Sequence, residues 1–72
     1  MIKRTKEAEL IGTIRKYMTI RGTNREKVAT NAAMSLRTLQ NRFRNPMTFT
    51  LMEISSIFNY LKIPEEERRG FL

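Results

Sequence analysis

Apolar residues recur along this chain at helical spacing, and no run alternates cleanly between apolar and polar as a half-buried strand would. Thr48-Phe49-Thr50-Leu51 comes nearest, and it reads better as a helix cap. The pattern predicts an all-α fold. Seventy-two residues suffice for one domain around one small core, with hardly any room for a catalytic cleft.

The helix signals resolve into five segments at about 5–21, 24–31, 35–44, 50–61 and 64–69. Leu10, Ile11, Ile14, Tyr17 and Met18 make the apolar stripe of the first; Lys6, Arg15 and Lys16 sit off it, and Gly22 stops it. The second opens on Thr23-Asn24-Arg25-Glu26, which has the form of a capping box. Its small-residue face, Val28, Ala29 and Ala32, lets a neighbouring helix pack very close. After a break at 31–34, Ser35 caps the third, with Met34 and Leu39 placed for a hydrophobic staple.

Leu39 and Phe43 are the core residues of the third helix. Arg37, Gln40, Asn41 and Arg44 fall on the opposite arc at about 100° per residue. Asn45-Pro46 ends it. Thr50-Leu51-Met52-Glu53 is a second capping box, with Phe49 and Ile54 as its staple and Leu51, Ile54, Ile57, Phe58 and Leu61 as core. Pro64 opens the last helix. Glu65, Glu66 and Glu67 lie near its positive end, Arg68 and Arg69 at its negative end, and Gly70 stops it.

Fourteen Lys and Arg stand against seven Glu, a formal charge of +7. A domain this basic points to a polyanion. Between Glu26 and Glu53 there is no acid, and that interval holds Lys27, Arg37, Arg42 and Arg44. The middle of the chain is therefore the candidate binding surface. Cys, His and Asp are absent, which removes disulfides, thiolate metal sites and the usual general bases and nucleophiles. No enzyme activity, cofactor or metal is expected. No apolar run approaches the roughly 20 residues needed to cross a bilayer, and no apolar signal core follows Met1-Ile2-Lys3-Arg4. A cytoplasmic protein without membrane association is the expectation.

The segment from Arg25 to Arg44 holds two short helices about three residues apart, the arrangement of a helix-turn-helix. In that arrangement the first helix crosses the phosphate backbone and the second lies in the major groove. From about Ile11 to Leu61 the chain resembles the lambda-repressor-like domains, including the Cro and Xre-type regulators of phages and bacteria. The resemblance is carried by Val28-Ala29, Ala32-Ala33-Met34-Ser35, Thr38-Leu39, Phe43, Asn45-Pro46 and Thr50-Leu51-Met52-Glu53-Ile54. Ala29 stands where the family keeps a small residue, and Leu39 and Phe43 stand at its core positions in the recognition helix. Two residues depart from the pattern. Ala33 occupies a turn position where the family prefers glycine. Arg42 replaces an aliphatic residue; either its stem lies along the core with the charge outward, or the third helix is rotated slightly.

The resemblance implies a five-helix fold and sequence-specific binding of double-stranded DNA by a transcriptional regulator, a repressor or Cro-like protein of a phage or mobile element. Ser35, Leu36, Arg37, Gln40 and Asn41 would face the groove. Arg37 suits guanine and Gln40 or Asn41 suits adenine, while Leu36 suits either a thymine methyl or the flank of the core. Asn24, Arg25, Arg44, Asn45 and Thr48 would contact phosphate, which positions the protein without reading sequence. A homodimer on a short inverted repeat is implied, joined through Ile63, Phe71 and Leu72. The alternative is a small helix-turn-helix adaptor that binds a host regulator or polymerase. A protein partner would favour apolar anchors on the third helix, and that face is polar and basic. Tyr17 and Tyr60 lie far from the basic interval and read as packing residues, so no stacking aromatics point to RNA. The basic residues do not line one side of a large amphipathic helix, as a membrane-surface segment requires.

Overall fold

The computed structural model describes residues 5–71; the run Met1–Arg4 and Leu72 lie outside them. Among the described residues there are five α-helices and no strand: α1 (Thr5–Arg21), α2 (Arg25–Asn31), α3 (Leu36–Arg44), α4 (Leu51–Leu61) and α5 (Glu65–Arg68). A 3₁₀ turn, Pro46–Thr48, joins α3 to α4. Every expected helix is present, its ends within one residue of those read from the sequence.

Helix α4 is the centre of the packing. Ile57, Phe58 and Leu61 are fully buried, α1 and α2 both lie against α4, and α2 lies against α3. Leu10, Ile14 and Tyr17 close the core from α1, and Leu39 and Phe43 close it from α3. Ala29, only 2 % exposed, lies on α2, and its single methyl lets α3 come close.

The starts of α2, α3 and α4 are capped by side chains. The Ser35 hydroxyl accepts from the Thr38 N–H, and Thr50 and Glu53 form the reciprocal box, each side chain accepting the other's backbone N–H. The start of α2 differs from expectation. Asn24 is its cap, accepting the Lys27 N–H at 2.9 Å, so there is no Thr23–Glu26 box. The Thr23 hydroxyl lies 2.7 Å from the Tyr60 hydroxyl and ties the entry of α2 to α4 instead.

Helices α1, α2 and α4 end in one way: two backbone N–H groups fold back onto the last turn around a left-handed residue. Those residues are Gly22 (φ 66°), Ala33 (φ 57°) and Lys62 (φ 54°). At α2 the bonds run from Ala33 N–H to Thr30 C=O and from Met34 N–H to Ala29 C=O. The glycine-preferring position thus carries an alanine in the conformation glycine suits.

Three expectations are corrected. Leu51 is 69 % exposed and not core. Side chains in a helix lean toward its N-terminus, so a residue at the first helical position projects past the core layer. Arg68 does not serve the end of α5; it donates to the Ile63 and Phe58 carbonyls and to Asn59 Oδ1. With Arg21, which donates to the Leu61 and Lys62 carbonyls, it places two cations at the negative end of α4. Ile63 is 2 % exposed, and Phe71 packs edge-on against Phe58 at 6.0 Å. Of the three residues expected at a dimer contact, Ile63 therefore belongs to the protein's own core and Phe71 packs half-buried against it; the third, Leu72, is outside the described residues.

Candidate nucleic-acid interface

Folding sorts the basic side chains into two sets. One set is used internally. Besides Arg21 and Arg68, Lys16 pairs with Glu67 at 3.2 Å and Lys6 donates to the Gly70 carbonyl. The Tyr17 hydroxyl donates to the same Glu67 oxygen as Lys16, at 2.8 Å. That bond raises the Tyr17 pKa above its ordinary value and, with Lys16, lowers that of Glu67. Arg42 joins this set. Its Nε and Nη2 donate to the two oxygens of Glu53 at 3.0 and 3.2 Å. The Arg42 bond is the main cause that lowers the Glu53 pKa, with the Thr50 cap adding to it. The charge of Arg42 is therefore not simply sent outward; it is matched by an acid of α4. It does not contribute an open cation to the acid-free interval.

The second set is open. Arg15, Arg25, Lys27, Arg37 and Arg44 on α1–α3, and Lys62 and Arg69 away from them, have no carboxylate partner among the described residues. Of the residues expected to face the groove, Ser35, Arg37 and Asn41 are exposed, and Leu36 and Gln40 are half-buried. Arg37 and Asn41 stand one turn apart on α3, and neither side chain is engaged by another described group. The Ser35 hydroxyl is committed to its cap and also bonds Thr38 Oγ1 at 3.0 Å.

The expected phosphate ligands divide too. Asn24 is exposed and uses its Oδ1 for the cap, which leaves its amide N–H groups uncommitted. Thr48 gives its hydroxyl proton to the Asn45 carbonyl at 2.7 Å, so that donor is spent. Asn45 is exposed, and Arg25 and Arg44 converge on a cleft of about 320 Å³ lined by Arg15, Arg25, Gln40, Phe43 and Arg44. The Arg25 and Arg15 guanidiniums lie 5.0 and 5.9 Å from the Phe43 ring centroid, within cation–π range.

Arg15 was not legible as a site residue. It lies on α1, off the apolar stripe, and only the tertiary fold brings it beside Phe43 at this cleft. Exposed apolar side chains gather elsewhere, at Met47, Leu51 and Met52 along the 3₁₀ turn and the first turn of α4.

Among the described residues, no cluster of His, Cys, Asp or Glu could hold a metal ion and no helix is long and apolar enough to cross a membrane. No protein-family model, curated protein or solved structure matches the chain.

Proposed function

We propose that this protein is a sequence-specific binder of double-stranded DNA with a lambda-repressor-like fold. It acts in the cytoplasm as a repressor or Cro-like regulator of a phage or mobile element. The observation that carries the reading is the outer face of α3, which presents Arg37 and Asn41 beside Arg44 with no acid. Arginine and the amide of asparagine are the side chains that read guanine and adenine edges in the major groove. The left-handed Ala33 turn between α2 and α3 supports a helix-turn-helix, with α2 on the backbone and α3 in the groove. A homodimer on an inverted repeat follows from economy, since one recognition helix reads only a few base pairs.

Fluorescence anisotropy with a labelled random duplex tests the reading. Affinity should fall steeply with salt, the logarithm of the binding constant dropping linearly against log[salt] with a slope of about −0.9 per phosphate neutralised. Affinity independent of salt would contradict it.

A second reading, an adaptor for a protein partner, is favoured by exposed Met47, Leu51 and Met52. It predicts that the folded protein retains no duplex at low salt and that Met52→Asp abolishes capture of the protein partner.

A further inference from the structure

We infer that the cleft between α1, α2 and α3 is a seat for one tetrahedral phosphate, with Arg15, Arg25 and Arg44 as its cationic walls and Gln40 as a neutral donor. The inference rests on the DNA reading for the identity of the ligand, but not for the existence of the seat.

Each of the three helices sends one arginine into the same cleft of about 320 Å³. No carboxylate among the described residues pairs with any of the three. Like charges brought together without a counter-ion repel, and a bound anion relieves that repulsion. The cleft is also furnished for oxyanions. Guanidinium presents paired N–H donors that match two phosphate oxygens at once, and the Gln40 amide can supply a further N–H.

Phe43 makes the seat rigid. Only 9 % exposed, it is fixed in the core and braced by Phe49 at 6.4 Å. Two guanidiniums rest on it, so Arg15 and Arg25 are partly ordered before a ligand arrives and lose less freedom on binding it. The same aromatic ring that anchors α3 in the core therefore positions the cations that would grip a phosphate.

This assignment redistributes the roles on α3. Gln40 is half-buried and lines the cleft, so its amide serves the phosphate. Base reading falls to Arg37 and Asn41. A phosphate seated against the root of α3 fixes the depth and register of the helix in the groove.

The test has two arms. In the first, protein labelled with ¹⁵N is titrated with inorganic phosphate alone, and the arginine Nε–H signals are followed. Those of Arg15, Arg25 and Arg44 should move together while Arg37 and Arg69 stay still. Movement of Arg37 equal to that of the three, or no movement of the three, overturns the seat. In the second arm, Arg15→Gln should weaken binding to every duplex about tenfold at low salt and reduce the salt slope by about one. Arg15→Lys, which keeps the charge but not the fork, should fall between the two. Gln40→Ala should weaken binding without changing the ranking of duplex sequences. Arg15→Gln protein that is folded by circular dichroism and binds duplex with the wild-type affinity and slope overturns the inference while leaving DNA binding intact. Phosphate binding in the cleft without any duplex binding supports the seat and refutes the DNA reading.

Discussion

Arg42 and Glu53 grip each other fork to fork across α3 and α4, Nε to Oε1 at 3.0 Å and Nη2 to Oε2 at 3.2 Å. Both side chains are largely covered, at 25 % and 19 % exposure. Glu53 is at the same time the closing residue of the α4 capping box, accepting the Thr50 N–H. One carboxylate thus fixes the start of α4 and the flank of α3. The pair ties the flank of α3 to the start of α4, without itself being part of the outer face of α3.

Arg42 should therefore behave as a structural residue. Arg42→Met leaves the Glu53 carboxylate without its main partner and should lower the thermal midpoint seen by circular dichroism. Well below that midpoint, duplex affinity should be unchanged. A loss of affinity in a fully folded variant would place Arg42 on the interface.

Arg37 and Arg25 should separate specificity from affinity. Arg37→Ala should cost about 1–3 kcal/mol on the preferred sequence and relax preference at one base pair. Arg25→Ala should weaken all duplexes about equally and reduce the salt slope by about one. Competition between preferred and random duplexes, measured for both variants, checks the contrast.

Ala33 holds a left-handed conformation, φ 57°, that disfavours any side chain. Ala33→Gly removes that strain but gives the unfolded chain more freedom. The net expectation is a gain of about 0.5–1 kcal/mol, or a midpoint several degrees higher for a domain of this size. Lys62→Gly, φ 54°, should act in the same direction. A drop in midpoint for Ala33→Gly would contradict the turn geometry.

Acid should weaken the fold through two carboxylates. Glu53 is held below its ordinary value of 4.5 chiefly by Arg42, and Glu67 chiefly by Tyr17 and then Lys16. A lowered folded pKa means stabilisation that is complete above the unfolded value and is lost as pH falls through the folded one. Thermal midpoints should hold steady from neutrality down to about pH 5 and then fall. Glu67→Gln and Glu53→Gln should each start lower and lose less. Tyr17, raised above 10.0 by Glu67, gives the opposite limb, with stability lost as pH climbs past 10.

Local signals carried most of the fold. The caps at Ser35 and Thr50 and the stop at Gly22 depend on residues a few positions apart, and all three stand where the sequence places them. Leu39 and Phe43 were equally plain from periodicity. What could not be read depends on distant partners. Thr23 lost its capping role to Asn24 and bonds Tyr60, 37 residues away. Arg42 looked like an open cation because its acid lies one helix further on. Arg15 gave no sign at all, since a single arginine on a helix exterior acquires meaning only from the residues that pack beside it.

Selection from a random duplex pool at low salt tests the central claim most directly. Retention of DNA, with enrichment of one short motif that Arg37→Ala no longer distinguishes, is the predicted result. A protein that is folded by circular dichroism yet retains no duplex at low salt would contradict the account.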